Sequence, residues 1–189
     1  MNDLKSFLNQ IHPLSESVFE HYRACWAVFE APRKTILTDF DTTEGYLYFV
    51  EQGVQKSYYL HEGKAHLMFF SYPPSFSGVV ESFFTQTPSR YCLETITDSR
   101  FLRISYADHS RLLTEHRELE TLFRKLTEQL LHAVIERQHE LLTFDAETRF
   151  RLFAKRSPHL FNMVTQKDLA SYLRIDATNF SKMMNRIRI

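Results

Sequence analysis

The sequence predicts an α+β protein: an antiparallel β-roll of jelly-roll type with flanking helices, a long helix after it, and a C-terminal helix-turn-helix. Three observations predict this. Short segments rich in aromatic and β-branched residues, divided by turn signals, fill the stretch from about Val28 to Ile104. From Ser105 onward apolar residues recur at spacings of three and four. The last 25 residues then place two short amphipathic helices around a tight turn.

Taken in order, the first 27 residues read as helix, with Leu4, Phe7, Leu8 and Ile11 on one face until Pro13 breaks the run. Ser15 is an N-cap for a second stretch carrying Val18, Phe19, Tyr22 and Trp26. In the β region Tyr46–Val50, Val54–Leu60, Ala65–Tyr72, Tyr91–Ile96 and Phe101–Ile104 are the strand candidates. Turn residues such as Gln52-Gly53, Glu62-Gly63 and Pro73-Pro74 separate them.

After Ser105 the pattern stays helical. Leu119, Phe123, Leu126, Leu130, Val134 and Leu141 form an apolar stripe about four turns long. It suits a parallel homodimer helix over 116–144, the other reading being a helix packed on its own domain. Asp145 caps a fresh helix through about Lys155, closed by Pro158. Three regions follow: an N-terminal domain 1–115, a dimerisation helix 116–144 and a helix-turn-helix domain 145–189.

Near the C-terminus, Thr165-Gln166-Lys167-Asp168 has the form of a capping box, and Asp176 caps a second helix. Ala170 is small where two crossing helices approach. Leu169, Leu173, Ile175, Phe180 and Met183 supply the apolar contacts, and the second helix also carries Met184 and Ile187. The turn ordinarily takes Gly for its left-handed backbone, and Arg174 stands there instead, at a cost of about 1 kcal/mol. Ala177, Thr178 and Asn179 open the second helix, with Lys182 one turn on. Such residues face base edges in a recognition helix, and Lys182, Arg186 and Arg188 supply cations with no acid after Asp176. The first helix offers Thr165, Gln166 and Lys167 to phosphates.

Charge agrees with this division. The 189 residues hold 23 Lys+Arg and 23 Asp+Glu, yet the neutrality is a cancellation. Residues 1–110 carry nine basic and thirteen acidic groups, residues 111–189 fourteen and ten, and residues 145–189 nine and four. The C-terminal region is thus a basic surface of the kind that nucleic acid selects. Cys25 and Cys92 are too few for a disulfide framework, a structural zinc or an iron–sulfur cluster, and no metal site is expected. Met1-Asn2-Asp3-Leu4-Lys5 has no signal-peptide character, and no apolar run approaches a membrane span. The expectation is a soluble cytoplasmic protein without membrane partners. Enzymatic chemistry is not expected either: His61 and His66 lack cupin spacing, His132 and His139 lie seven apart on a helix, and no nucleophile elbow occurs.

Helices, β-roll, long helix and helix-turn-helix, in that order, resemble the CRP/FNR family of bacterial transcription regulators, with their cyclic-nucleotide-binding-domain fold. The residues that carry the resemblance are Tyr46-Leu47-Tyr48-Phe49-Val50-Glu51-Gln52-Gly53, then Phe76-Ser77-Gly78 followed by Pro88-Ser89-Arg90-Tyr91, then Val164 to Ile187. The resemblance implies double-stranded DNA as partner, a homodimer, and RNA polymerase as a further partner. It implies a phosphate-binding cassette at Gly78, Val79, Ser89, Arg90 and Tyr91, with Val134 and Ile135 at the positions that reach a purine. Three departures stand against cyclic AMP. Val79 replaces the Glu that holds the ribose, Tyr91 and Cys92 replace Ser or Thr and Ala, and Val134 and Ile135 replace two hydroxyl residues.

The implied pocket is degenerate or altered, with no certain cofactor and cyclic nucleotide not bound tightly. Arg90 then pairs with a carboxylate such as Glu81 or Glu94, or grips another anion. Thr178 and Lys182 replace the family's Glu and Arg, so its operator does not transfer, and the sequence ends at Ile189 without a β-hairpin wing. The alternative is a ligand-sensing or scaffold protein of this fold that no longer binds DNA specifically.

Overall fold

The computed structural model describes residues 2–186. Ile187 and Arg188, assigned above to the end of the recognition helix, and Ile189 lie outside the described residues. The chain divides into two units, residues 1–57 with 70–130, and residues 58–69 with 131–189.

The first unit opens with α1 (Asn2–Ile11) and α2 (Glu16–Arg23), followed by β1 (Ala27–Ala31), β2 (Ile36–Thr38) and β3 (Tyr46–Gln52). Then come β4 (Gln55–His61), β5 (Lys64–Ser71), β6 (Ser75–Ser77), α3 (Val80–Thr85), β7 (Cys92–Thr95) and β8 (Ser99–Ser105). The strands form two four-stranded sheets, ordered β1-β8-β3-β6 and β2-β7-β4-β5. β3 is central to the first: Phe49 sits opposite Leu102 of β8 and Phe76 of β6 in antiparallel register. The eight strands are the expected β-roll. The five strand candidates fall on β3, β4, β5, β7 and β8 within a few residues. β1, β2 and β6 were not among the predicted strands.

Gly53 shows why the β3–β4 turn needs glycine. Its φ is +93°, and a Cβ there would lie 2.4 Å from Ser99 Oγ and 2.6 Å from the Asp98 carbonyl oxygen.

The core of this unit joins α1 and α2 to the inner face of the first sheet and to the helices that follow β8. Leu4, Leu8, Phe19, Tyr22, Phe49, Leu102, Ile104 and Leu112 are buried together. Burying each such side chain contributes about 1.5–3 kcal/mol. Phe76 is the aromatic hub: its ring lies 5.5 Å from Phe7, 5.7 Å from Phe49 and 5.8 Å from Phe123, and stacks on Trp26 at 6.1 Å. Trp26 corrects one expectation, since α2 ends at Arg23 and the indole enters the core from the connection to β1.

The helical stretch after β8 is α4 (Tyr106–Glu115) and α5 (Arg117–Thr143), interrupted at His116, whose φ of −126° and ψ of 105° are extended. Ser105 caps α4 by accepting from the Asp108 amide. The dimer stripe changes meaning here. Leu119 and Phe123, with Leu122, are buried in the core of their own unit. A helix with one apolar face satisfies it on the nearest available core, so this half of the stripe is internal. Farther along, Leu131, Val134, Ile135 and Leu142 are exposed at 58%, 39%, 56% and 78%.

The second unit continues with α6 (Ala146–Arg156), α7 (Leu160–Met163), α8 (Gln166–Leu173) and α9 (Ala177–Arg186). Asp145 caps α6 as expected, its carboxylate accepting from the Thr148 amide at 2.8 Å. Phe150, Phe153, Leu160, Leu169, Leu173 and Phe180 form the buried centre. Phe150 of α6 lies 5.4 Å from both Phe161 of α7 and Phe180 of α9, so one ring joins the three helices. Among the described residues, no helix is long and apolar enough to cross a membrane.

Candidate functional site

The helix-turn-helix is α8, a three-residue turn and α9. Thr165 caps α8 by accepting from the Asp168 amide at 3.1 Å, and Asp176 caps α9 by accepting from the amides of Thr178 at 2.9 Å and Asn179 at 3.3 Å. Ala170 is buried where the helices meet, beside Leu169, Leu173, Ile175 and Phe180. Each of these follows from the residue pattern.

The turn at Arg174 has the left-handed conformation that glycine would supply, with φ 55° and ψ 45°. The Ile175 amide donates to the Ala170 carbonyl and the Arg174 amide to the Ser171 carbonyl, satisfying the end of α8. Two contacts offset the strain. Arg149 of α6 donates through Nε to the Leu173 carbonyl at 3.0 Å and through Nη2 to that of Arg174 at 3.1 Å. Its Nη1 donates to the Phe144 carbonyl, so a single guanidinium gathers α5, α6 and the turn. The Arg174 side chain meets His66 of the β4–β5 hairpin at 3.0 Å, and Ser171 Oγ accepts from the Leu67 amide at 3.2 Å.

One face of α9 carries buried Phe180 and half-buried Met183 and Met184; the other is exposed. Ala177, Thr178, Asn179, Lys182 and Arg186 are all exposed, as are Thr165, Gln166 and Lys167 at the start of α8. With 3.6 residues per turn, Thr178, Lys182 and Asn185 point most directly away from Phe180. Asn185 was missed by sequence reasoning, although its spacing of seven from Thr178 and three from Lys182 places it on the same face. Arg186 is not free for a phosphate in this structure: it pairs with Glu147 of α6, which also binds Arg151 at 2.8 Å.

Of the cassette positions in the first unit, Gly78 and Val79 lie against a carboxyl that belongs to the chain, Glu44. Gly78 has φ +150°, and a Cβ there would lie 3.9 Å from Glu44 Oε2. That oxygen accepts from the Val79 amide at 3.2 Å and from Thr38 Oγ1 at 2.5 Å, while Oε1 accepts from the Tyr46 amide at 3.2 Å. Glu44 is 1% exposed, and burial pushes its carboxyl above the ordinary range against these hydrogen bonds. Arg90 turns outward and donates to Glu81 Oε1 at 2.7 Å, whereas Glu94 faces Lys56 at 3.7 Å. Ser89 is buried and internal, accepting from the Tyr91 amide at 2.9 Å and donating to the Tyr91 carbonyl at 2.7 Å.

Val79 and Tyr91 pack on Tyr48, Val50 and Phe101. Val134 and Ile135 belong to the other unit. Beside Gly78 lies an apolar recess of about 300 Å³, lined by Phe76, Val80, Phe84, Leu126 and Leu130 among others, with no charged group on its wall among the described residues. Glu44 was not anticipated, because one acid in a polar loop carries no periodic signal.

No family model matches the chain and no curated protein sequence is similar to it. Its fold is nevertheless shared with solved structures. FixK2 from Bradyrhizobium japonicum superposes at TM-score 0.70 with 17% identity, over 85% of this chain and 83% of that one. CLP of Xanthomonas campestris, a c-di-GMP responsive global regulator, gives 0.65 with 16% identity and 91% of both chains. The Thermus thermophilus catabolite activator protein gives 0.58 with 16% identity, over 93% of this chain and 84% of that one. The chain therefore has the fold of the CRP/FNR regulators, a cyclic-nucleotide-binding-domain β-roll followed by a helix-turn-helix.

Proposed function

We propose that the protein is a DNA-binding transcription regulator of the CRP/FNR type that acts in the bacterial cytoplasm as a homodimer and does not depend on cyclic AMP. The observation that carries this reading is the exposed face of α9. Thr178, Lys182 and Asn185 present a hydroxyl, a cation and an amide on a helix capped at its start by Asp176 and joined by a fixed turn to α8, which Thr165 caps. These are the groups that pair with base edges in a major groove. Thr165, Gln166 and Lys167 supply phosphate contacts at the start of α8, and Arg186 joins them by exchanging Glu147 for a phosphate.

Dimerisation is supported by the exposed apolar positions Leu131, Val134, Ile135 and Leu142 on the second half of α5. Covered by a second copy, this face sets two recognition helices about 34 Å apart on a pseudo-palindromic site. Loss of cyclic-nucleotide binding is supported by Glu44 on the Val79 amide, by Arg90 on Glu81 and by the uncharged recess beside Gly78. Selection of binding sites from random duplexes, followed by gel retardation across a salt series, tests the regulator reading. Enrichment of an inverted repeat bound more tightly than random DNA is expected. Equal retardation of every sequence at all salts would instead favour the alternative, a scaffold of this fold without specific DNA binding. Calorimetry with cyclic AMP is expected to give no saturable heat.

A further inference from the structure

We propose that His21, Glu115 and His116 form a binding site for a borderline divalent metal ion, zinc being the reference case. His21 lies on the last turn of α2, Glu115 ends α4, and His116 is the extended residue between α4 and α5. One ligand atom from each falls within 4.8 Å of the others. The 95 residues separating the two imidazoles hide the cluster from any motif search. It is also independent of the DNA reading, since none of its residues belongs to α8 or α9.

The two rings meet nitrogen to nitrogen. His21 Nδ1 is 2.8 Å from His116 Nε2, and the ring planes are nearly perpendicular at 85°. Such an approach places either a hydrogen bond, an N–H of one ring donating to the lone pair of the other, or a metal ion between both lone pairs. Tetrahedral zinc with Zn–N of 2.0–2.1 Å sets its ligands about 3.3 Å apart, so the rings need to part by about 0.5 Å. Both residues reach solvent, which leaves room for that adjustment and for entry of the ion.

Glu115 supplies the anionic third ligand. Arg111 donates to both of its oxygens at 3.0 Å and fixes the carboxylate, as outer partners of metal-binding carboxylates do. Each oxygen retains a lone pair for the metal. Two imidazoles and a carboxylate with water in the fourth position make a donor set suited to zinc, nickel or copper rather than to magnesium or calcium. The ion would fasten α2 to the corner from which α5 departs.

The test is titration of the full-length protein with Zn²⁺ against a chromophoric chelator, with thermal unfolding followed in parallel. One ion per chain is expected, with an upward shift of the wild-type melting temperature. Affinity should fall by at least about tenfold in His21→Ala and in His116→Ala, and stay unchanged in His61→Ala and His139→Ala. X-ray absorption of the zinc-loaded wild type should fit two imidazoles with oxygen ligands, a readout that requires no variant to fold. Less than one ion per chain, or equal affinity in all four variants, would overturn the proposal.

Discussion

Arg149 Nη2 donates to the carbonyl oxygen of Arg174 at 3.1 Å, so one arginine secures the backbone at the residue where another takes the left-handed conformation. The helix-turn-helix tolerates a side chain at its turn because charged donors from a neighbouring helix hold the carbonyls on either side. Replacing Arg149 by Met should therefore lower the unfolding free energy by about 2 kcal/mol, the range for hydrogen bonds from a charged group. Arg174→Gly should raise it by roughly 0.5–1 kcal/mol by relieving the backbone. Urea unfolding of both variants checks the pair of signs.

His109 is 2% exposed, its Nδ1 lies 3.3 Å from the Tyr22 hydroxyl, and its Nε2 has no hydrogen-bond partner among the described residues. Burial lowers its pKa to about 4, so the folded protein holds a neutral imidazole. The unfolded chain takes up this proton near pH 6.5, ahead of the folded one. The stability from neutral His109 is thus complete above about pH 6.5 and lost as pH falls towards about 4, by about 3 kcal/mol over the window. Urea midpoints between pH 7 and 4 should fall more steeply in wild type than in His109→Phe, which keeps the edge-on contact with Phe123.

Base reading and phosphate contact separate by salt. Lys182→Ala and Asn185→Ala should each cost about 1–3 kcal/mol on a selected site and much less on random DNA. Lys167→Ala should weaken both alike and reduce the slope of log affinity against log salt by about one. Retardation assays at several ionic strengths measure both; equal losses for Lys182→Ala on the two DNAs would make Lys182 a backbone contact.

The exposed side of α5 gives an oligomer prediction. Ile135→Glu puts a charge on a face with Leu131 and Leu142, outside the core that holds Leu119 and Phe123. Sedimentation velocity should show a folded monomer with unchanged far-ultraviolet dichroism, and affinity for a two-half-site operator should fall at least tenfold with it. A dimer that persists would place the interface elsewhere.

The order of elements was legible because its signals are local and periodic: Thr165 and Asp176 as caps, Leu169, Leu173 and Phe180 as one face, Gly53 at a turn. The destination of an apolar face was not. Leu119 and Val134 belong to the same stripe, yet the first is buried in its own unit and the second is exposed, because periodicity records a face and not what covers it. Near Gly78 the two charged groups differ in legibility. Glu81 was one of the two carboxylates expected for Arg90, whereas Glu44 enters from a loop with no pattern. His21 and His116 meet through tertiary packing alone.

Glu44 also sets a threshold for any metabolite that would use the same corner. The carboxylate on the Val79 amide is tethered to the chain, so its local concentration is on the order of millimolar or more and does not vary with the state of the cell. A free anion must outcompete a resident that cannot diffuse away. On the proposed cyclic-AMP-independent reading, occupancy at the start of α3 is thus written into the sequence, and the corner would keep one setting while small-molecule pools rise and fall.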